Sequence, residues 1–543
     1  MHRLAALALF ALSAVAAERP NIIVIMADDL GYSDLGCYGG EIDTPNLDRL
    51  AENGLRFTNF SNASRCCPTR ASLMTGLYPH QTGLGRMTHD TGKPGYRGEL
   101  AAHTPTIAEM LRAAGYSTGM VGKWHLSLTP DSPMNALWVS HLLDLGPFSR
   151  VQTYPVNRGF DEHLGTIWGV VDFFDPFSLV HNERPIPSVP EGFYYTDWLN
   201  DRAAEMVEKL GRRNEPFFLY VAHTAPHWPL QALPEDIEKY KDRYKIGWDE
   251  IRKERYQRMV DNGLLDAETA RLSARADAGP AWKDNPTQEF DARAMAVHAA
   301  MVDRLDQGLS RITSALESIG EMDDTLIVFL SDNGASPEEP QHYLPGFDRP
   351  SHTRDGNRIG YTTRKRRMPG AQNTYAGIGP MWANAANTPF RYWKKEQYEG
   401  GSATPLIVHW PAGMQLEAGS ITGQPGHVVD LVATAMDVGR ARVPETFAGR
   451  RTIPLEGRSL RPVFEGDTLD PSRPIFYEHF GARAMRQGDW KIVALSGKPW
   501  ELYNLAQDRT ETTDLASREP ERVQEMAASW EAWADRAQVN PMP

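Results

Sequence analysis

Cysteine is scarce in this chain: only Cys37, Cys66 and Cys67 occur among 543 residues. Three cysteines cannot build the disulfide framework of a small exported domain, and adjacent cysteines rarely pair because the resulting geometry is strained. No two cysteines have the Cys-x-x-Cys spacing of a structural zinc site. The sequence therefore predicts a fold that depends on its hydrophobic core.

Long apolar runs are also scarce. Met1 to Arg3 precede an apolar run from Leu4 to Ala17, which is too short to span a bilayer comfortably. Small residues offer a cleavage site at its end, so residues 1–17 are predicted to be a signal peptide, with a short apolar strand as the alternative. No later segment reaches transmembrane length. We expect an exported protein, periplasmic or secreted, with no membrane span.

Basic residues are fewer than acidic ones: the sequence has 57 Lys and Arg residues and 70 Asp and Glu residues, so its formal net charge is −13. This balance argues against a nucleic-acid partner or an anionic membrane, although it leaves room for a local basic pocket. The chain is 41% hydrophobic, which suffices for a large core. We find no internal repeat and no low-complexity segment.

Buried-strand patterns alternate with helical patterns over the first 440 residues, which predicts a largely parallel sheet. The predicted strands cover residues 21–26, 117–121, 216–221, 325–330 and 405–410. Beyond about residue 440 short antiparallel strands and a terminal helix are predicted instead. We expect a large domain over residues 18–440 and a small α+β domain over residues 441–543.

Polar residues follow the carboxyl ends of these strands. In parallel sheets, sites form beyond those ends, so side chains some 300 positions apart can share one cleft. The spacing of His223 and His227 would suit zinc on a helix, but Pro226 and Pro229 argue against a helix there. The strand-end residues are Asp28, Asp29, Lys123, His125, His223, His227, Asp332 and Asn333.

The segment from Cys66 to Gly76 stands apart from these strand ends. Pro68 suits the first turn of a helix, and Gly76 suits its left-handed end. Cys66 is then expected just outside a helix N-terminus, where the dipole favours negative charge, with Arg70 one turn further on. For an isolated cysteine, a structural role would be the ordinary interpretation.

The full pattern, Cys-x-Pro-x-Arg followed by Leu-Met-Thr-Gly, resembles the signature of type I sulfatases. The resemblance covers most of residues 20–540 and is closest to bacterial arylsulfatases. Cys67 occupies the free position, and Thr69 stands where Ser is common. The resemblance implies an α/β fold like alkaline phosphatase: a large, mostly parallel mixed sheet between helices, plus a small C-terminal α+β domain.

The resemblance also implies the site. A formylglycine-generating maturation enzyme would oxidise Cys66 to an aldehyde, which works as its hydrate, as nucleophile and metal ligand. His227, together with Lys394, would protonate the departing alcohol, and His125 would accept a proton afterwards. The implied metal ligands are Asp28, Asp29, Cys66, Asp332 and Asn333; the catalytic set is Cys66, Arg70, Lys123, His125, His227 and Lys394. The metal would be Ca²⁺, although oxygen ligands suit Mg²⁺ equally.

The expected function is hydrolysis of an aryl or carbohydrate sulfate monoester in a small molecule or glycan. A formylglycine-dependent phosphodiester or phosphonate monoester hydrolase is the nearest alternative, because those substrates also carry one negative charge. An inactive glycan-binding homologue is the alternative from another class. A basic run, Arg364 to Arg367, is either a solvated loop or a contact for extended polyanions.

Overall fold

A computed structural model describes residues 19–129, 146–343, 351–353, 355–361 and 367–543. The predicted signal peptide and the basic residues Arg364 to Arg366 lie outside the described residues. Within the ranges given, none of the helices combines the length and hydropathy that crossing a membrane requires.

A ten-stranded mixed sheet forms the centre of the described chain, in the order β11-β2-β10-β9-β1-β8-β4-β5-β6-β7. Its middle strands β9, β1, β8, β4 and β5 are parallel, and β10, β6 and β7 extend it by antiparallel pairing. The bounds of its strands are β1 Asn21–Ala27, β2 Leu55–Phe57, β4 Ser117–Gly122, β5 Glu162–Thr166, β6 Leu179–His181, β7 Arg184–Pro185, β8 Phe217–Ala222, β9 Thr325–Ser331, β10 Leu406–His409 and β11 Ser420–Thr422. Strands β3 Phe60–Ser61 and β12 Gly426–His427 pair in parallel as a separate two-stranded sheet.

Helices pack on both faces of this sheet. They are α1 Pro45–Glu52, α2 Cys66–Thr75, α3 Ile107–Ala113, α4 Tyr195–Gly211, α5 Pro234–Tyr240, α6 Trp248–Asp261, α7 Gln288–Ile319, α8 Gly379–Ala386, α9 Glu399–Ser402, α10 Val429–Val438 and α11 Arg461–Phe464. Strand β1 shows why two layers are needed: Ile23 and Ile25 belong to one core cluster, and Val24 and Met26 belong to the other. A strand buried on both faces is typical of parallel sheets.

A smaller antiparallel sheet follows near the C-terminus. It contains β15 Ile475–His479, β16 Ala482–Gln487, β17 Trp490–Ala494 and β18 Glu501–Asn504, after the hairpin of β13 Thr446–Phe447 and β14 Arg450–Arg451. Helix α12, Pro520–Arg536, covers this sheet through Trp530 and Trp533. The end of β15 contacts the segment that follows α2, because His479 Nδ1 lies 3.3 Å from the backbone oxygen of Gly85. The expected fold class is confirmed.

The start of α2 differs from the sequence expectation. Cys66 is the first helical residue, not the residue outside the helix, and Arg65 precedes it with extended backbone angles (φ −153°, ψ 146°). Pro68 then stands in third position, where a missing N–H is still tolerated because the first four N–H groups have no partner within the helix. Gly76 ends the helix with φ 70°, as expected.

Candidate active site

Two neighbouring strand ends bring four oxygen-bearing side chains together. Strands β1 and β9 run parallel with Ala27 opposite Ser331, so the residues that follow each strand are neighbours. The Asn333 amide donates to Asp29 Oδ1 over 2.6 Å, and the Asp29 backbone N–H donates to Asp332 Oδ1 over 3.3 Å. The whole group is at most 2% exposed: Asp28, Asp29, Asp332 and Asn333.

This group fits a hard divalent cation. Asp28 Oδ1 and Asn333 Oδ1 are buried and have no hydrogen-bond partner among the described residues, although buried acceptors are normally satisfied. Burial and the charge of Asp28 raise the pKa of Asp332 to about 8, which marks a place where negative charge is concentrated. An all-oxygen set of this kind suits Ca²⁺ or Mg²⁺.

Basic side chains compensate the carboxylates from the other side. Lys123, just after β4, forms an ion pair with Asp28. Arg70 reaches Asp332 Oδ2 with Nη2 at 2.8 Å and with Nε at 3.1 Å, and its Nη1 donates to the Tyr220 hydroxyl at 3.2 Å. The structure therefore places Arg70 against the carboxylates, where it holds Asp332 in position.

Cys66 and Cys67 have unequal environments although both are buried. A hydrogen bond from Cys67 lowers the pKa of Cys66, whereas burial and the same contact raise the pKa of Cys67. The Cys66 and Cys67 sulfurs and a ring nitrogen of His125 all lie within 4.8 Å of one another. Cys66 at the start of α2 is thus the more acidic thiol and has a histidine beside it.

His125 is placed to accept a proton. Its φ of 57° lies in the left-handed region, and its ring packs edge-on against Trp168 with centroids 5.1 Å apart. Burial lowers the pKa of His125 to about 3, so the ring is neutral at neutral pH. The ring interacts with the Cys66 side chain, and no oxygen or nitrogen of the described residues is a hydrogen-bond partner of its two nitrogens.

His227 and Lys394 form a pair on the Asp29 side. Nδ1 of His227 lies 2.6 Å from the backbone oxygen of Trp228, which assigns the ring proton to Nδ1. Lys394 Nζ then donates to Nε2 of His227 over 3.2 Å and to Asp29 Oδ1 over 2.8 Å. Because burial lowers the pKa of His227 to about 4, its ring is neutral at neutral pH, and the positive charge of this pair is that of the Lys394 ammonium.

Two further residues lie at the site, Glu338 and Arg65, and the sequence alone did not indicate either of them. Glu338 accepts from the Trp228 indole over 2.7 Å and lies 3.5 Å from Lys394 Nζ. Arg65 binds the same carboxylate over 3.2 Å. Both residues are close in sequence to predicted site residues, because Arg65 precedes Cys66 and Glu338 follows Asn333 by five positions. That proximity is the sequence feature that could have indicated them.

Comparison with known proteins agrees with this geometry. The family model described as Sulfatase matches residues 20–440. An uncharacterised sulfatase of Schizosaccharomyces pombe is 33% identical, with 94% of this chain and 93% of that protein covered. An arylsulfatase of Klebsiella aerogenes is 30% identical over 82% of this chain and 92% of its own. The crystal structure of Ps i-CgsB in complex with k-i-k-neocarrahexaose superposes with a TM-score of 0.65 at 26% identity, covering 95% and 93% of the two chains.

The fold and the oxygen-lined site define a hydrolase of anionic esters. The chain belongs to the sulfatase family. It is an enzyme that hydrolyses sulfate esters.

Proposed function

We propose that this sulfatase releases inorganic sulfate from a carbohydrate or aryl sulfate monoester, with formylglycine made from Cys66 as its nucleophile. The observation that carries the proposal is the position of Cys66, the buried first residue of α2, within 4.8 Å of His125. Relatives support both substrate types, because one is named an arylsulfatase and Ps i-CgsB is described with an oligosaccharide.

In the proposed reaction formylglycine, the divalent cation and the surrounding side chains would each have a separate role. Formylglycine hydrate would supply the nucleophilic hydroxyl and a second hydroxyl for release of sulfate, and Ca²⁺ or Mg²⁺ would supply positive charge for the substrate oxygens. Asp28, Asp29, Asp332 and Asn333 would hold the cation, with residue 66 completing the set. Lys123 and Lys394 offer ammonium groups for the sulfate oxygens, while Arg70 keeps Asp332 oriented.

The same geometry supports separate proton roles for the two sides of the site. The Lys394–His227 pair would protonate the departing alcohol, since Lys394 holds the proton 3.2 Å from His227 Nε2. His125, whose ring is neutral, would take a proton beside residue 66.

Parallel assays test the proposed function. Purified protein should release alcohol and inorganic sulfate from nitrophenyl sulfate and from a panel of sulfated sugars. The rival activity is measured with a nitrophenyl phosphodiester and a phosphonate monoester at the same enzyme concentration. A higher kcat/KM for a phosphorus ester than for every sulfate ester would overturn the proposal. Binding of sulfated glycan without turnover would indicate the inactive glycan-binding homologue.

The remaining parts of the proposal concern where the protein works and how it matures. Residues 1–17 support export to the periplasm or the medium, with a maturation enzyme acting on Cys66. We also propose a catalytic domain over residues 18–440 and a small domain over residues 441–543.

His227→Ala removes the ring nitrogen that accepts from Lys394 Nζ and positions that ammonium, so it should reduce kcat/KM for a sugar sulfate by about 10²–10⁴-fold, and for nitrophenyl sulfate far less. A sugar alkoxide needs a proton in the transition state, whereas nitrophenolate departs with little help. His125→Ala should instead give a burst of alcohol followed by slow turnover with both substrates. Stopped-flow and steady-state measurements on both variants check this. Equal losses on both substrates, with no burst, would show that the acid and base are assigned wrongly.

A further inference from the structure

We propose that three basic residues beside Cys66 bind a second anionic group on the leaving alcohol, so that the preferred substrate is a glycan with a sulfate or carboxylate next to the scissile sulfate. We call Arg65, Arg86 and Lys395 the basic rim. This inference rests on the proposed function and names the substrate class for the same site.

Arg65 is the residue just before Cys66, at the start of α2. Its guanidinium interacts electrostatically with Cys66 and Asp29. Nη2 binds Glu338 Oε1 at 3.2 Å and Nε contacts Met87 Sδ at 3.5 Å, while Nη1 has no protein acceptor among the described residues. The side chain is 16% exposed, so a donor remains available at the mouth of the site.

The carboxylate beside Arg65 does not cancel the charge of the rim. Glu338 is shared, because its Oε2 also lies 3.5 Å from Lys394 Nζ and accepts from the Trp228 indole. Burial opposes ionisation, but Lys394 and Arg65 hold the pKa of Glu338 well below its usual range. Among the described residues Glu338 is the one ion-pair partner of the three rim cations, and it also faces Lys394.

The other two members of the rim meet on one aromatic ring. Phe480, after β15, is half-buried and has φ 51°, and the Arg86 guanidinium lies 4.8 Å from its ring centre. Lys395 Nζ lies 5.9 Å from the same centre. The Lys395 backbone N–H donates to Ser64 O over 2.8 Å, which connects this ring to the segment that leads into Cys66.

The side chains of Lys395 and Arg86 have N–H donors that the described residues do not use. Lys395 is exposed and forms no ion pair with the described residues, and the one hydrogen bond of Arg86 among them runs from Nη2 to the Pro543 backbone oxygen over 3.3 Å. Arginine forks match the oxygens of anionic groups such as sulfate and carboxylate. Polyanionic sugars therefore fit the rim better than neutral alcohols.

Kinetics on three matched disaccharides test the inference. All carry the same scissile sulfate; the neighbouring position holds a hydroxyl, a second sulfate or a carboxylate. The wild type should prefer the charged substrates, and Arg65→Gln and Arg86→Gln should each lower the charged-to-neutral ratio of kcat/KM by about tenfold, the effect of one hydrogen bond to a charged group. Arg212→Gln, which removes an exposed arginine just after α4, should leave the ratio and the activity unchanged.

Because Arg65 adjoins Cys66, its substitution can change how much of residue 66 is oxidised. Each rate is therefore divided by the oxidised fraction of residue 66, measured by mass spectrometry. Arg86 is distant from Cys66 in the sequence, so Arg86→Gln is a second, independent variant. A wild type without preference, or ratios unchanged in both variants, overturns the inference while sulfate release still supports the proposed function. If sulfate is released neither from the three disaccharides nor from nitrophenyl sulfate, both this inference and the proposed function are overturned. The two charged arms show whether sulfate or carboxylate is bound.

Discussion

Cys66→Ala is expected to abolish sulfate release, by about 10⁴-fold or more, because the variant has no side chain that can become the nucleophile. Cys67→Ser should retain much of the activity. The two residues adjoin, but only Cys66 stands two positions before Pro68 and four before Arg70 and opens helix α2. The environment separates them too, since the contact with Cys67 lowers the pKa of Cys66.

Tryptic mass spectrometry of the wild type provides the chemical readout for this pair. We expect an aldehyde at residue 66 and an intact thiol at residue 67. Cys37→Ser serves as the matched control, because Cys37 lies outside the site beside Asp48. An aldehyde at residue 67, or full activity in Cys66→Ala, would contradict the assignment.

Asp29→Ala and Asp332→Ala are each expected to lose the bound metal and nearly all activity. Each substitution removes an oxygen ligand, and supporting residues one shell further out already change metal affinity by about 10–100-fold. Asp29→Ala also removes the acceptor that holds Lys394 Nζ at 2.8 Å. Asp332→Ala leaves Arg70 without the carboxylate that binds its Nε and Nη2.

Elemental analysis and kinetics on the same preparations check this prediction. The matched control is Asp437→Ala, since Asp437 is exposed and lies on α10. Titration with Ca²⁺ and with Mg²⁺ then identifies the cation that restores the wild type after chelation. Full activity in a variant shown to be free of metal would contradict the metal's role.

Much of this site follows from sequence because it lies at strand ends. The apolar runs before Asp28 and Asp332 predict buried strands, and parallel strands bring their carboxyl ends to one edge. Strands β1 and β9 show this arrangement, because they pair in parallel with Ala27 opposite Ser331. The helix beginning at Cys66 is similarly encoded by Pro68 and Gly76, to within two positions.

Contacts between side chains could not be obtained in this way. Nothing in the sequence shows that Arg65 and Glu338, 273 positions apart, share an ion pair. The contact that fixes the proton of His227 on Nδ1 depends on the backbone direction of Trp228, which only the folded chain defines. The proton role of Lys394 depends on that contact in turn.

The most direct test of the nucleophile is a single-turnover experiment with Cys66→Ser. Serine keeps the position at the start of α2 but offers one hydroxyl, so it can accept sulfate from the substrate and has no second hydroxyl to expel it. We predict a burst of about one equivalent of alcohol, no inorganic sulfate, and a peptide sulfated at residue 66 by mass spectrometry, because a nucleophilic hydroxyl forms a covalent intermediate with the transferred group. Repeated turnover with release of sulfate by Cys66→Ser would contradict the proposed nucleophile.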